Sequence, residues 1–151
     1  MIVAQDIMTE SVVVVHEKKT VSQVAHLMLR ERVSGYPVVD DDHSLVGIVT
    51  ITDLFVLVDQ VVISSSEDKT RSNLRELSIE DIRDRVLQFK DKPVSEIMSK
   101  EVYTISPETP LNKIISDVIK LNIHTFPVVK KNQLVGIIGR HDILNAFFTY
   151  S

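Results

Sequence analysis

The N-terminal part of the chain alternates short apolar runs with one helical stripe of apolar positions. The β-branched run Val12 to Val15 predicts a buried strand. Apolar residues from Val21 to Leu29 then recur at spacings of three and four, which predicts one buried helix face. Tyr36 to Val39 and Leu45 to Val49 predict two adjacent strands joined by a polar turn, and a helix should begin near Thr50. The order is therefore β-α-β-β-α.

The same pattern returns later in the chain. Equivalent residues lie 90 positions apart at Met8 and Met98, and 89 apart at Gly47 and Gly136, since one residue is lost in the polar turn. The corresponding runs of the second copy are Val102 to Ile105, Leu111 to Ile119, Phe126 to Val129 and Leu134 to Ile138, with a helix from about Gly139. A repeated unit too small to bury its own sheet predicts two units packed as a pseudo-twofold pair.

A segment with a different character separates the two copies. We predict a first repeat at 1–63, an insertion at 64–92 and a second repeat at 93–151, together forming one compact α+β module. The insertion begins with the polar stretch Ser64 to Asn73, which predicts a loop, and Ser78 can cap an amphipathic helix. The helix either covers the module's own core or contacts a partner.

Composition excludes several classes of function. The chain has 151 residues, 17 basic against 21 acidic, and no cysteine. A mild acidic excess disfavours nucleic-acid binding, and the lack of cysteine fits a reducing compartment. No apolar run approaches the ~20 residues that span a bilayer, and the N-terminus lacks the pattern of a signal peptide. We therefore expect a cytoplasmic protein with no membrane partner.

Catalytic and metal-binding patterns are not found in the sequence. Its five histidines show no metal-ligand spacing, and neither a phosphate loop nor a G-x-S-x-G nucleophile turn occurs. Asp53 and Asp142 would fall in separate clefts of a pseudo-twofold pair, so they do not form an acid–base pair. We expect no catalytic residues, no metal and no required cofactor.

The repeated motifs resemble the cystathionine-β-synthase (CBS) domain in its tandem form. The resemblance is carried by Ile-Met-Thr/Ser, aromatic-Pro-Val-Val and Leu-Val-Gly, the last followed by a strand and a helix-opening Asp, and it covers both repeats but not the insertion. It implies a regulatory, energy-sensing module that binds an adenosine nucleotide between the repeats. It also implies a homodimer that acts on an effector protein.

Thr50 and Asp53 form the strongest motif for ligand binding. They lie three residues apart at the predicted start of a helix. A carboxylate can accept hydrogen bonds from both ribose hydroxyls, and a threonine hydroxyl beside free backbone N–H groups suits a phosphate. The same Thr-x-x-Asp pattern also predicts an N-terminal capping box, and the two roles are compatible.

By resemblance, the other repeat completes this first cleft. The residues expected near the sugar or phosphate are Ser34, Gly35 and Tyr36. The residues expected near the base are Ser99, Val102, Tyr103 and Ile123. Val102 and Ile123 would sandwich the adenine, although plain core packing explains such apolar residues equally well.

The second cleft departs from the pattern, because Gly139 replaces the threonine. Asp142 remains, Arg140 and His124 could contact a phosphate, and a glycine that breaks the helix start is the alternative. The full predicted set is Asp142, Gly139, Arg140, His124, Thr125, Thr9, Val12, Val13 and Val33. The motifs place few cations in either cleft, which favours AMP over ADP or ATP. The competing hypothesis is a ligand-free dimerisation or interaction module with degenerate clefts.

Overall fold

The computed structural model of the chain describes residues 1–66 and 78–149. Its helices are α1 (Ala4–Ile7), α2 (Val21–Glu31), α3 (Ile51–Ser66), α4 (Ile79–Leu87), α5 (Leu111–Leu121) and α6 (Arg140–Phe148). Its strands are β1 (Val15–His16), β2 (Gly35–Val39), β3 (Leu45–Thr50), β4 (Thr125–Lys130) and β5 (Gln133–Gly139). The predicted α+β class with two repeated units is confirmed. The helix after β3 continues to Ser66, past the predicted loop start at Ser64, and the rest of that loop lies largely outside the described residues.

Each unit is built on an antiparallel hairpin. In the first unit β2 pairs with β3, placing Tyr36 opposite Val49, and β1 adds a parallel strand on the other side of β2. In the second unit β4 pairs with β5, and Phe126 lies opposite Ile138 in the equivalent register. These four paired side chains are 0–1% exposed and lie in the cores of the two units.

The second unit lacks a regular counterpart of β1. The strand predicted at Val102 to Ile105 is reduced to a single parallel bridge between Ile105 and Val128. In the first unit the ladder continues because the N–H of Glu17 donates to the carbonyl of Val39 at 2.9 Å. The equivalent residue is Pro107, which has no N–H to donate, so the ladder stops.

The strand predicted at Val12 to Val15 is also shorter than expected. Thr9 pairs with Ile137 of β5, in the second unit, whereas Val15 pairs with Val38 of β2, in the first. The residues between them cross from one unit to the other and are not paired as a strand. Val13 is accordingly 51% exposed.

The segments that lead into the two units are exchanged. Residues 3–9 pack on the second unit, where the N–H of Ala4 donates to Thr109 at 2.9 Å and Val3 bridges to Pro110. Residues 93–99 pack on the first unit, where the N–H of Val94 donates to Lys19 at 2.7 Å. Ala4 and Val94 are both 0% exposed, and each completes the core of the opposite unit. The reciprocal pairing establishes the pseudo-twofold relation.

Each exchanged segment contains a methionine, Met8 or Met98, that packs onto a glycine of the other unit. A Cβ atom at Gly47 would lie 2.5 Å from Met98 Sδ, and one at Gly136 would lie 2.5 Å from Met8 Sδ. A side chain at either glycine would occupy the space that the methionine fills. The Ile-Met and Leu-Val-Gly motifs are therefore two halves of one contact between the units.

The predicted amphipathic helix of the insertion is confirmed as α4. The hydroxyl of Ser78 accepts from the N–H of Asp81 at 3.1 Å, as a capping residue should. The helix packs on α3, but none of its residues is fully buried, and Ile79 is 73% exposed. None of the helices in residues 1–66 and 78–149 has the length and apolar character that crossing a bilayer requires.

Alanine at position 47 is expected to destabilise the protein by about 1–3 kcal/mol. Its Cβ would lie 2.5 Å from Met98 Sδ and 2.8 Å from the carbonyl oxygen of Ser99, which cannot swing away as a side chain can. Gly136→Ala is the matched variant, because the three atoms nearest to its Cβ all belong to the side chain of Met8. Urea denaturation should show the larger loss for Gly47→Ala, and equal losses would contradict this explanation.

Candidate functional site

Two adjoining clefts open between the units. The first cleft has a volume of about 600 Å³, and the second, about 380 Å³. The first is lined by Ser34, Ile48, Thr50, Ile51, Thr52, Glu101, Val102, Tyr103, Asn122, Ile123, His124, Thr125 and Arg140. The second is lined by Arg32, Val33, Ser34, Gly35, His124, Thr125, Ile137, Gly139, Arg140, His141 and Asp142.

The start of α3 forms one wall of the first cleft. Asp53 accepts hydrogen bonds on one oxygen, Oδ2, from the backbone N–H of Thr50 at 2.7 Å and from its hydroxyl at 3.2 Å. The capping role is thus present. Among the described residues no group donates to the other oxygen, Oδ1, so this half-buried carboxylate keeps an acceptor without a partner. Asp53 is not itself one of the residues that line the first cleft, whereas Thr50, to which it is hydrogen-bonded, is.

The equivalent carboxylate of the second cleft has both oxygens occupied. Asp142 Oδ2 accepts from the N–H of Gly139 at 2.6 Å, and Oδ1 accepts from the hydroxyl of Thr9 at 2.9 Å. Helix α6 begins regularly at Arg140, with Gly139 at φ −105° as its N-cap, so the glycine does not break the helix start. The second cleft offers no free carboxylate oxygen of the kind found at Asp53.

Half-buried residues of the second unit form the opposite wall of the first cleft. Val102, Tyr103 and Ile123 line it, and the latter two also pack against the core that contains Phe126, so cleft and core roles coexist. The Tyr103 ring meets the Phe126 ring edge-on, with 5.9 Å between centroids. These side chains give the cleft an apolar end.

Hydrogen bonds beyond the cleft fix the orientation of Tyr103. Its hydroxyl donates to Asp117 Oδ2 at 2.5 Å, and Lys113 Nζ donates to both the tyrosine oxygen and this carboxylate at 2.9 and 3.0 Å. The hydrogen bond from Tyr103, followed by that from Lys113, lowers the pKa of Asp117. Lys113 and Asp117, which line neither cleft, were not predicted to contact Tyr103, although their spacing of four residues on α5 is typical of a helical ion pair.

Other predicted members of the first cleft lie elsewhere. Tyr36 is 1% exposed in the core, and its hydroxyl donates to Glu31 at 2.9 Å, so burial and this carboxylate raise the pKa of Tyr36 to about 12. Gly35 lines the second cleft. Ser99 pairs with Ile48 through the backbone. None of these side chains lines the first cleft.

The predicted residues of the second cleft are brought together in part. Six of them line it: Val33, His124, Thr125, Gly139, Arg140 and Asp142. Thr9 reaches it through its hydrogen bond to Asp142. Val12 instead lines a separate cavity beside the two hairpin turns, and Val13 lines neither cleft. In the described part of the chain, no three His, Asp or Glu side chains are arranged to hold a metal ion.

Comparison with known families and proteins gives consistent matches. The family model described as the CBS domain matches residues 3–59 and 94–149. The chain is 28% identical over 144 residues to homoserine O-acetyltransferase of Methanococcus vannielii, which covers 95% of this chain but only 24% of that enzyme. It is 27% identical over 150 residues to the uncharacterized protein MJ1426 of Methanocaldococcus jannaschii, covering 94% of this chain and 89% of the relative.

Solved structures with the same fold include proteins crystallised with adenosine compounds. The crystal structure of CBSX2 in complex with AMP superimposes with a TM-score of 0.72 at 22% identity, covering 97% of this chain and 96% of that one. The CBS domain pair of protein MJ0100, in complex with 5′-methylthioadenosine and S-adenosyl-L-methionine, gives a TM-score of 0.68 at 23% identity, with the same coverage of both chains. At these identities the likeness shows the fold.

We predict that Asp117→Asn destabilises the protein at neutral pH and that the loss disappears in acid. The folded-state pKa of Asp117 is lowered, so its stabilising effect is present above the unfolded pKa of ~3.9 and is lost as the pH falls through the folded value. Urea denaturation of wild type and variant from pH 7 to pH 3 measures this. Asp84→Asn, at an exposed position on α4, is the control and should cost little throughout. A loss for Asp117→Asn that does not change with pH would contradict the prediction.

Proposed function

Because the chain belongs to the CBS domain family, we propose that it is a regulatory module that binds an adenosine nucleotide in the first cleft. The observation that carries the proposal is a cavity of about 600 Å³ with one apolar end, lined on the other side by Thr50 at the start of α3. Thr50 is hydrogen-bonded to Asp53, whose Oδ1 accepts from no described residue. A cavity of this size suits a nucleotide-sized ligand. The structural relatives crystallised with AMP or with S-adenosyl-L-methionine support the same ligand class.

The chemistry of the walls suggests how the nucleotide lies. The adenine fits the apolar end beside Val102, Tyr103 and Ile123. The ribose hydroxyls would donate to Asp53 Oδ1, since a carboxylate acceptor suits vicinal hydroxyls. The first phosphate then falls near the hydroxyl of Thr50 and the start of α3, where the helix dipole favours an anion.

The number of phosphates depends on the cations within reach. The scarcity of cations in the sequence motifs favours AMP. The structure adds Arg140 of the second unit to the wall of the first cleft, a contribution that the motif of the first unit does not contain. The affinity for ADP and ATP is therefore determined by the surroundings of Arg140.

Regulation follows from the position of the ligand between the units. A nucleotide that touches Thr50 of the first unit and Tyr103 of the second favours one relative orientation of the two. It shifts that equilibrium only by its difference in affinity for the two orientations. We propose that an effector protein senses this orientation and that the module itself is not catalytic, since Asp53 and Asp142 stand at the starts of different helices.

Asp53→Asn is expected to remove most of the nucleotide binding. The asparagine can still cap α3 through its carbonyl oxygen, but the group left for the ribose is then an NH2, which donates and cannot accept from the hydroxyls. For wild type, AMP, ADP or ATP at ~100 times the dissociation constant should add about 2.7 kcal/mol, which raises the melting temperature by roughly 5–10 °C. A thermal-shift titration should show this rise in wild type and its loss in Asp53→Asn.

Asp142→Asn is the matched control for that experiment. Its carboxylate is equivalent in the repeat but already holds Thr9 and Gly139, so the variant should keep most of the nucleotide shift. No shift with any adenosine nucleotide in wild type would overturn the proposed function. Equal losses in both variants would overturn the assignment of the ribose to Asp53.

Assembly is the second candidate function, because several helices expose large apolar side chains. Phe55 of α3 is 65% exposed, and Phe147 and Phe148 of α6 are 47% and 75% exposed. An apolar groove between α3 and α4 is lined by Val58, Ile79, Ile82, Arg83, Val86 and Leu87. Apolar surface of this kind is typical of contacts with a second chain, and a homodimer is the simplest case.

Phe55→Glu is expected to shift a dimer toward the monomer. A carboxylate in an apolar interface would be desolvated without a partner, which weakens association. Sedimentation equilibrium of wild type and variant, with and without nucleotide, measures the change. Glu80→Ala, at an exposed polar position of α4, is the control. A wild type that is monomeric at all concentrations would reject assembly through a second copy.

A further inference from the structure

The two clefts adjoin each other. Four residues line both of them: Ser34, His124, Thr125 and Arg140. The apolar residues of the first cleft, Val102, Tyr103 and Ile123, line only that cleft. A ligand seated with its base at the apolar end would therefore extend toward the shared residues and the second cleft beyond them.

The second cleft is poorly suited to a second ribose. Both oxygens of Asp142 already accept hydrogen bonds, one from the hydroxyl of Thr9 and the other from the N–H of Gly139. Its volume of about 380 Å³ is also smaller than the 600 Å³ of the first cleft. A nucleoside would compete with the Thr9 hydroxyl for Asp142 Oδ1.

The second cleft is instead lined by side chains that can bind phosphate. Arg32 and Arg140 carry permanent charges, and His124 and His141 can donate from ring nitrogens. The Nδ1 atom of His124 is buried and has no hydrogen-bond partner among the described residues. Such an atom is costly unless a ligand or water pairs with it.

The distribution of charge over the two clefts favours one orientation of the ligand. The first cleft has Glu101 on its wall, which repels phosphate, and Arg140 is the only arginine or lysine among its lining residues. The second cleft has two arginines, and its one carboxylate, Asp142, is held by Thr9 and Gly139. The positive charges therefore attract a phosphate chain from the first cleft, past Arg140, into the second cleft.

We propose that the second cleft is the phosphate subsite of a single nucleotide whose base and ribose occupy the first cleft. This inference rests on the proposed function. One nucleotide would then fill both clefts, with Arg140 between them as the phosphate-binding residue common to both. The module would distinguish nucleotides by the number of their phosphates and would bind one of them per chain.

Isothermal titration of adenosine, AMP, ADP and ATP into wild type, Arg140→Met and Arg30→Met tests the proposal. Wild type should bind one ligand per chain, with affinity rising along the series and ATP at least ~10-fold tighter than adenosine. Arg140→Met should give nearly equal affinities along the series. Arg30 lines neither cleft, so Arg30→Met is the matched control and should behave as wild type. Circular dichroism of each variant checks the fold.

Each other outcome would overturn either the phosphate subsite or the proposed function. Two AMP molecules per chain would show a second nucleotide site and reject the phosphate subsite, as would equal wild-type affinities for adenosine and ATP. An unchanged preference for ATP in Arg140→Met would also reject it. No binding of any compound, adenosine included, would overturn the proposed function itself.

Tripolyphosphate distinguishes a nucleotide from a free polyphosphate, because it supplies the same chemistry without base or ribose. It should weaken the binding of ATP while leaving that of adenosine unchanged. If it bound as tightly as ATP, the second cleft would be a site for free polyphosphate, and the proposal would be wrong.

Discussion

The structure depends on the reciprocal exchange of residues 3–9 and 93–99, which contain Met8 and Met98. Each methionine fills the space above a glycine of the opposite unit, so the cores of both units are completed only when the units are joined. A single unit of this size would otherwise leave apolar surface uncovered. The clefts are a consequence of this exchange, because the chain crosses between the units on the way from each methionine to the next strand.

The exchange is symmetric, but the clefts are not, and single residues account for the difference. The hydroxyl of Thr9 donates to Asp142, whereas the hydroxyl of the equivalent Ser99 donates to the carbonyl oxygen of Glu101 at 3.4 Å. One carboxylate is thereby occupied and the other, Asp53, keeps a free oxygen. Two residues before the aspartate, the second unit has Arg140 where the first has Ile51. The positive charge of this arginine therefore has no counterpart across the pseudo-twofold axis. Duplication supplied two equal clefts, and a few substitutions assign them different chemistry.

The sequence predicts much of this arrangement, within definite limits. The apolar spacing gives the helices and hairpins, and the repeat gives the pairing of units, because both are local properties of the chain. Periodicity carries no information on which unit a leading segment packs against, so the exchange was not predicted. Tyr36 was expected near the ligand, yet an aromatic residue in a buried strand has no feature in the sequence that shows which way it faces. Pro107 is the exception, since its missing N–H could have predicted the loss of the strand.

The proposed nucleotide binding and the proposed assembly need not be alternatives, because both would involve the same two helices. Thr50 and Arg140, at the starts of α3 and α6, line the first cleft, and Phe55 and Phe148, farther along these helices, are exposed. A ligand held between the two helix starts constrains their relative orientation and therefore the apolar surfaces that they carry. By linkage, a second chain that binds these surfaces must change the nucleotide affinity by the same factor by which the nucleotide changes assembly. The asymmetry of the clefts would then make that coupling depend on the phosphate chain as well as on the base.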